Sequence, residues 1–491
     1  MSKYVITIDQ GTTSSRVIVF DERGNIIYKN VKAFKQYYPY PNYVLHDANE
    51  IYRDVLDLLT TALYEVNIDY SDILGVGITN QRETTVAWNK ITGEPIYKAI
   101  VWQSTQTNEI CEKLKVSGYE KMIREKTGLL INPYFSASKM KWIIDNVSGA
   151  KELMDEDNLL FGTIDSWLIY KLCGGRHVTD YTNASRTMLF NIHTLDYDDE
   201  LLSLFKIKRN TLPKVVSSNE SIGYITEPRI KEICDLEICG LIGDQESSLI
   251  GHTCFDEGML KITYGTGSFM LMNTGKKIYN SKNGLLSTIA YAIDGNVSYA
   301  LEGSVFVAGS AFQFIKDNLE IVKDLDDSSF SCGNSNGVVF VPALTGLGAP
   351  YWNSECKGAI FGLNRGTTKE DIAWATIEGV AYLNKDVMMS MLEDTKLVLK
   401  DISVDGGASL NSKLMQVEAD VMHSKIKTIS TSEATSLGVF YLVGLNKGLF
   451  KDINDIKRHY KNSRLYIPNL CDNEKEKYDR WKKAVNACME F

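Results

Sequence analysis

Residues 4–16 read YVITIDQGTTSSR, an apolar run that ends in a turn rich in glycine, threonine and serine. The pattern predicts a strand over Tyr4–Asp9, a tight bend at the glycine and a second strand from Ser15. Backbone N–H groups in such a turn form an anion site, to which the hydroxyls and Arg16 add donors. Asp9, at the strand end, is a hard oxygen ligand suited to Mg²⁺. A plain hairpin turn explains the same residue types equally well, because glycine, threonine and serine favour turns.

Strands and a helix follow this segment in alternation. A third strand is predicted over Ile26–Lys32 and a fourth over Ile73–Thr79. Between them, Ala48–Val66 carries apolar residues at helical spacing, with Asp47 or Asn49 as the N-cap. This order of elements is typical of an α/β domain.

A similar order returns in the second half of the chain. The segment 260–268 reads LKITYGTGS, again a strand that ends in a Gly/Thr turn. A further strand is predicted over Leu399–Val404, where it leads into a Gly-Gly turn and a helix. The repeat predicts two related α/β domains, over 1–247 and 248–491. The charged tail 451–491 is predicted to be helical.

Composition excludes several classes of protein. The 491 residues carry a formal net charge of −9, which argues against a nucleic-acid binder. No apolar run approaches the roughly 18 residues of a membrane span, and no signal peptide opens the chain, so a cytoplasmic location without membrane insertion is expected. The nine cysteines are scattered, so neither a disulfide framework nor a zinc site is indicated. Because the P-loop pattern is absent, a bound nucleotide would be held by several short turns.

Eleven segments, in order, carry a resemblance to one family: DQGTTSSR at 9–16, NQRETT at 80–85, AIVWQ at 99–103, NPYFSASK at 132–139, VTDYTNASRTMLFNI at 178–192, GDQ at 243–245, YGTGSF at 264–269, EGSVFVAG at 302–309, GLGAPYW at 346–352, GAIFGLNRGT at 358–367 and DGGA at 405–408. Together they resemble the glycerol kinases of the FGGY carbohydrate kinase family. The resemblance implies two actin-like (ribonuclease H-like) α/β domains with an interdomain cleft. It also implies ATP-dependent phosphorylation of glycerol to sn-glycerol 3-phosphate, in glycerol catabolism.

The resemblance further implies a role for each matching residue. The glycerol hydroxyls are expected at Arg82, Glu83, Tyr134, Asp244 and Gln245, with Trp102 and Phe269 as apolar walls. The phosphate turn corresponds to Thr12, Thr13, Ser14 and Arg16, and the other nucleotide contacts to Thr266, Gly309, Gln313, Gly407 and Asn411. Asp9 and Asp244 are expected around Mg²⁺. Asp244 is the expected catalytic base, and Asp9 and Arg16 are the other expected catalytic residues. ATP is expected to bind mainly to the C-terminal domain.

The chemistry of a small triol asks for such residues. Glycerol has no charge, so its recognition depends on hydrogen bonds to hydroxyls and on apolar contact to its carbons. Arg82 supplies donors and Glu83 acceptors. Because neighbouring side chains on a strand point to opposite faces, a turn or bulge is expected there. The alternative is a surface ion pair at 82–83 and core packing for the aromatic residues.

Two other functions stay open at this point. The first is a kinase for another small polyol or sugar, such as xylulose, gluconate or erythritol, because a fold does not fix the substrate. The second is a ligand-binding sensor without turnover, against which the intact Asp9, Asp244 and Gly/Thr turns argue. A homodimer and a homotetramer are both compatible with the sequence.

Two stretches depart from the family pattern. The basic residues that often follow Trp102-Gln103 are replaced by Ser104-Thr-Gln-Thr107, which bears on substrate range or on an interface. The segment Gly223–Cys239 lacks the features that serve a sugar-bisphosphate inhibitor or a phosphocarrier in some members. We therefore expect neither control here, and inhibition by the bisphosphate would contradict this.

Overall fold

The computed structural model describes residues 2–331, 333–429, 431, 433–460, 462–469 and 473–491. The strands are β1 (Tyr4–Gln10), β2 (Ser14–Asp21), β3 (Ile26–Ala33), β4 (Leu45–His46), β5 (Ile73–Asn80), β6 (Val86–Asn89), β7 (Ala99–Ile100), β8 (Leu159–Gly162), β9 (Val178–Asp180), β10 (Phe190–Asn191), β11 (Asp196–Tyr197), β12 (Lys214–Val216), β13 (Gly223–Tyr224), β14 (Glu237–Gly243), β15 (Leu260–Tyr264), β16 (Ser268–Gly275), β17 (Leu286–Ile293), β18 (Asn296–Val305), β19 (Val339–Val341), β20 (Ala359–Phe361), β21 (Ile402–Gly406), β22 (Ile426–Ile429) and β23 (Asn462–Tyr466).

The α-helices are α1 (Ala48–Glu65), α2 (Asn108–Val116), α3 (Glu120–Thr127), α4 (Ser136–Asn146), α5 (Ala150–Asp155), α6 (Ile164–Leu172), α7 (Tyr181–Ser185), α8 (Asp199–Phe205), α9 (Pro228–Lys231), α10 (Asp244–Gly251), α11 (Gly309–Gln313), α12 (Lys369–Thr395), α13 (Ser412–Met422), α14 (Ala434–Asn446), α15 (Ile453–His459) and α16 (Glu474–Glu490). No helix in the described ranges is long and apolar enough to cross a bilayer.

The chain forms two compact units. The first unit contains Met1–Thr253, Thr288–Tyr299 and Thr435–His459, and the second contains Cys254–Ser287, Ala300–Ala434 and Tyr460–Phe491. The division of the sequence into 1–247 and 248–491 stays a prediction. In the structure, the chain returns to the first unit twice after the predicted boundary.

Two glycines in the first sheet explain why the chain can return to the first unit at Thr435–His459. A Cβ on Gly77 of β5 would lie 2.6 Å from Cγ2 of Val439, and one on Gly240 of β14 would lie 2.9 Å from Cγ2 of Val443. Both distances are too short for a side chain, so only glycine lets α14 lie this close to the two strands. A helix from the far end of the sequence therefore completes the core of the first unit.

The first unit is built on a six-stranded sheet in the order β13-β14-β5-β1-β2-β3. Strand β1 pairs antiparallel with β2 and parallel with β5, which pairs parallel with β14. The central strand is apolar on both faces, with Val5, Ile6 and Ile8 buried, as expected for a strand covered on both sides. Helix α1 is capped by Asp47, which accepts hydrogen bonds from the N–H groups of the second and third residues after it. This settles the choice between the two predicted caps.

The second unit repeats this topology. A seven-stranded sheet runs β17-β18-β16-β15-β21-β22-β23, and its strands β16, β15, β21, β22 and β23 lie in the second unit. Here β15 pairs antiparallel with β16 and parallel with β21, which pairs parallel with β22. These four strands match β1, β2, β5 and β14 in order and direction. The predicted repeat of two related α/β domains is confirmed.

Two predictions for the second half need correction. The strand predicted over Leu399–Val404 forms at Ile402–Gly406, because the chain at Lys400 is still in a connection, where its N–H donates to Gly258 O. The tail is not helical throughout. Strand β23 lies between α15 and α16 and pairs antiparallel with β22, where it satisfies backbone groups that an edge strand would leave unpaired.

Candidate active site

Three parallel strands of the first unit end at one edge of the sheet. In register, Asp9 of β1 lies beside Thr79 of β5, and Asn80 of β5 lies beside Gly243 of β14. The residues that follow these strand ends therefore come together. This edge carries most of the residues predicted from the sequence to act on the substrate.

The turn between β1 and β2 is a hairpin with the predicted Thr12, Thr13 and Ser14 at its bend. The Gly11 N–H donates to Ser14 O at 3.0 Å. Asp9 and Arg16 face each other across the hairpin, with Nε of the arginine 3.5 Å from Oδ2 of the aspartate. The aspartate is largely buried and the arginine is partly exposed.

Side chains from three other segments fix this turn. Gln36 Nε2 donates to Thr12 O at 3.1 Å, and Gln81 Nε2 donates to Gly11 O at 3.1 Å. Trp102 Nε1 donates to Thr12 Oγ1 at 2.9 Å. From its sequence, Trp102 is predicted to act only as an apolar wall. The structure shows a polar contact as well, between this aromatic residue and the turn after β1.

Trp102 and Tyr134 lie together in the first unit. Their ring centroids are 5.5 Å apart with the rings nearly perpendicular, at 80°, a favourable edge-to-face arrangement. Both rings are partly exposed. They therefore form an aromatic wall beside the strand ends.

Arg82 and Glu83 are both buried, which excludes a surface ion pair. The predicted turn is present: Glu83 has φ +58°, so the chain leaves the strand path between the two residues. Arg82 Nη1 donates to Glu246 Oε1 at 2.7 Å, and Arg186 Nε donates to Glu83 Oε1 at 2.6 Å. Each residue of the pair therefore has its own buried ionic partner.

Asp244 is the first residue of α10 and the most accessible of these acids, with its side chain 27% exposed. Arg82 Nε lies 3.6 Å from its Oδ1, and the Gln245 N–H donates to the same oxygen at 2.7 Å. The preceding Gly243 N–H donates to Thr182 Oγ1 at 2.9 Å. The carboxylate is thus held in place and still reachable by a small molecule.

The altered stretch after Trp102 is part of a folded loop. Ser104 is buried, and its hydroxyl lies within hydrogen-bond distance of two acceptors, Asn42 O at 3.1 Å and Gln106 Oε1 at 3.0 Å. The serine therefore has a structural role in the loop that follows the aromatic wall.

The second unit contains a cavity of about 1020 Å³. All five residues predicted there as nucleotide contacts line it: Thr266, Gly309, Gln313, Gly407 and Asn411. The remaining predicted residue, Phe269, lies on β16 opposite Thr263 and does not line this cavity. Its role as an apolar wall stays a prediction.

The rim of this cavity consists of backbone turns at strand ends. The Gly309 N–H donates to Gly265 O at 3.1 Å, and the Ser310 N–H donates to Thr266 O at 3.0 Å. Gly406 ends β21 with φ +88°, a conformation that favours glycine. A Cβ on Gly407 would meet nothing within 4 Å. The cavity wall is therefore bare backbone at that point, which suits the close approach of a ligand.

Sequence reasoning missed three buried residues of the first unit. Arg186 and Glu246 are the ionic partners described above, and Lys139 donates hydrogen bonds to Glu83 O and Tyr134 O. All three lie within or next to the segments that resemble the family, and this position was the one sign in the sequence that they belong to the site. Nothing in the local pattern distinguishes a buried charge from a solvated one.

Comparison with known proteins agrees with this geometry. The FGGY family of carbohydrate kinases matches with its N-terminal domain at residues 4–251 and its C-terminal domain at 260–446. The chain is 51% identical over 496 residues to a glycerol kinase of Geobacillus sp. (strain WCH70), and 50% identical over 500 residues to one of Bacillus licheniformis, with 100% of both chains covered in each case.

A solved structure agrees as well. The crystal structure of Plasmodium falciparum glycerol kinase with ADP superposes with a TM-score of 0.95 at 34% identity, covering 99% of this chain and 98% of that one. The predicted fold class and the predicted resemblance are confirmed. On its two domain matches and its full-length relatives, this chain belongs to the FGGY family of carbohydrate kinases.

Proposed function

We propose that this protein transfers the γ-phosphoryl group of ATP to glycerol and releases sn-glycerol 3-phosphate and ADP, in glycerol catabolism. The observation that carries the proposal is the convergence of Arg82, Glu83 and Asp244 at one sheet edge, each held by hydrogen bonds or ion pairs. The relatives that match over the full length are named glycerol kinase, and the solved relative contains ADP.

The first unit supplies what a small triol needs. Arg82 offers N–H donors and Glu83 offers carboxylate oxygens, and both are fixed by buried partners. The edge-to-face pair of Trp102 and Tyr134 offers an apolar surface for the carbon chain. A site built to bond hydroxyls discriminates strongly against analogues that lack them.

Asp244 is the proposed base. A glycerol hydroxyl oxygen attacks the γ-phosphorus of ATP as the bond to the β-phosphate oxygen breaks, and that oxygen leaves with its electron pair on ADP. The hydroxyl proton passes to the Asp244 carboxylate, which an ordinary carboxylate accomplishes when proton transfer is late in a loose transition state. Arg16 and the N–H groups of the hairpin turn are suited to stabilise the phosphoryl oxygens.

Asp9 and Asp244 are the residues that would hold Mg²⁺. Asp9 lies near the end of β1 and Asp244 directly follows β14, and both strands pair parallel with β5 and end at the same sheet edge. Carboxylate oxygens are the donors that this ion prefers. When bound, Mg²⁺ would neutralise charge on the ATP phosphates.

The cavity of the second unit is the proposed nucleotide site, and a substitution at Gly407 tests this proposal. Replacement by valine would project a branched side chain into the open space beside this residue. We expect the Kd for ADP, measured by calorimetry without glycerol, to rise by about tenfold or more. Lys413→Val, on the exposed start of α13 and outside the cavity lining, is the matched control. An unchanged Kd for Gly407→Val would rule out this cavity as the nucleotide site.

The choice of substrate is tested by ADP release with a panel of polyols. Glycerol, erythritol, xylulose and gluconate are supplied separately with Mg-ATP. We expect the highest kcat/KM with glycerol. If only one of the larger compounds is phosphorylated, the protein is still a kinase, and that compound replaces glycerol as its proposed substrate. If the protein binds ATP but phosphorylates none of these compounds, the alternative of a ligand-binding sensor without turnover is favoured.

Assembly and location are further parts of the proposal. A homodimer or homotetramer and a cytoplasmic location stay predictions from the sequence. Sedimentation of the purified protein distinguishes the two assemblies from a monomer.

A further inference from the structure

Lys139 is a fully buried lysine with no part in the mechanism above. It lies on α4 and is 0% exposed. Its Nζ donates to Glu83 O at 3.2 Å and also to Tyr134 O. Both acceptors are main-chain oxygens, and both belong to residues proposed to contact glycerol. The ammonium therefore binds the main chain of two separate segments of the proposed substrate site, at Glu83 and at Tyr134.

The main chain at Glu83 needs such support. Its φ of +58° is a conformation that residues other than glycine seldom adopt, and it persists only where the surroundings impose it. Three side-chain donors reach its carbonyl oxygen: Lys139 Nζ, and Ser136 Oγ and Thr85 Oγ1 at 3.1 Å each. The lysine and the serine both come from the first turn of α4. This helix therefore fixes the turn that directs the Glu83 carboxylate.

We propose that Lys139 is a positioning residue for the glycerol site, which acts by fixing the main chain of Glu83 and Tyr134. The inference rests on the proposed function. It assigns Lys139 no contact with substrate, because its Nζ is directed at carbonyl oxygens. Its loss should weaken glycerol binding through misplacement of the Glu83 carboxylate and the Tyr134 ring.

Because Lys139 is ionisable, the support that it gives to the two carbonyl oxygens should depend on pH. Burial lowers its pKa to about 7, against the opposing effects of the Glu83 carboxylate and the Cys111 thiol. Two further charged groups lie beside Glu83: Arg186, whose Nε is 2.6 Å from its Oε1, and Arg82, whose Nε is 3.9 Å from the same oxygen. Below about pH 7 the ammonium is present, and above it the neutral amine, which is the weaker donor. The support given to the two carbonyls should therefore weaken as the pH rises through neutrality.

The test is Lys139→Met, which keeps an unbranched stem and removes the donors. We expect the KM for glycerol to rise by about 10- to 100-fold, with the KM for ATP within about threefold of the wild-type value. Lys141→Met is the matched control, because Lys141 lies on the same helix and pairs with Asp145. It should leave both constants unchanged. Lys139→Arg should fall between the wild type and Lys139→Met.

The pH dependence separates positioning from a general loss of structure. The difference in glycerol KM between wild type and Lys139→Met should be largest near about pH 6 and narrow above about pH 8, because only the wild type titrates. A pH-independent difference, or an equal rise in both KM values, would overturn the proposal. So would a wild-type KM for glycerol in the folded variant.

A second variant covers the case in which Lys139→Met does not fold. Ser136→Ala removes the second donor that α4 supplies to Glu83 O, while Thr85 Oγ1 still donates to it, and should raise the glycerol KM alone, by a smaller factor. An unchanged KM in Ser136→Ala together with an unchanged KM in Lys139→Arg would then overturn the proposal. Failure of the proposed function is seen separately, as a wild-type enzyme that does not turn over glycerol. The same comparison is then made with whichever polyol the wild type phosphorylates.

Discussion

Replacement of Asp244 by asparagine is expected to lower kcat with glycerol by about 10³-fold. The amide keeps the size of the side chain and its acceptor oxygen for the Gln245 N–H. It cannot take a proton from the attacking hydroxyl, and it is a poorer ligand for Mg²⁺. Initial rates of ADP release at saturating glycerol and Mg-ATP measure the effect.

The control for this variant is Asp199→Asn. Asp199 lies at the start of α8, where its exposed carboxylate pairs with Arg209, so kcat should stay at the wild-type value. Calorimetric binding of glycerol to Asp244→Asn shows whether the site still forms. A folded variant that retains more than about a tenth of the wild-type kcat would contradict the role of Asp244 as base.

Replacement of Arg82 by methionine should damage both stability and glycerol binding. The guanidinium is a buried ionic partner of Glu246, so its removal takes a positive charge away from a carboxylate in the core. We expect the free energy of unfolding to fall by about 3 kcal/mol, measured by denaturant titration. We also expect the KM for glycerol to rise by about 100-fold, because the donors to its hydroxyls are lost.

A double variant separates these two effects. Arg82→Met with Glu246→Gln removes both members of the buried pair, so much of the lost stability should return. The KM for glycerol should stay high, because the donors are still missing. Glu246→Gln alone serves as the reference for the second change. Recovery of the glycerol KM in the double variant would show that Arg82 acts only as a structural partner of Glu246.

The parts of the fold that depend on local pattern were predictable. The strand, the glycine bend and the second strand at 4–21 follow from the alternation of apolar residues and from the turn residues between them. Helix α1 follows from its periodicity, and its cap was narrowed to two residues. The strand predicted over Leu399–Val404 was misplaced by a few residues, because apolar side chains also occur in the connection before β21.

Long-range packing was not predictable from the same patterns. Helix α14 joins the first unit although it follows strands β15, β16, β21 and β22 of the second unit in sequence. Gly77 and Gly240 allow a close approach, but nothing in the sequence of either strand identifies α14 as the segment that makes it. The tail strand β23 was also missed, because it is ordered by pairing with β22.

The candidate site shows the same limit. Arg82 and Glu83 could be singled out as a pair, and the turn between them could be expected from strand geometry. Their partners lie 164 and 103 residues away in sequence, at Glu246 and Arg186. Only the three-dimensional arrangement shows which charges are buried together. The prediction of a site was thus possible from sequence, whereas its ionic support required the structure.

The most direct test of the proposed function is the stoichiometry of the reaction. The purified protein is incubated with Mg-ATP, with and without glycerol, and ADP and glycerol phosphate are quantified together by ³¹P NMR. We predict ADP release that depends on glycerol, with one sn-glycerol 3-phosphate formed for each ADP. ADP release at the same rate without glycerol, or ADP without a phosphorylated glycerol product, would contradict it.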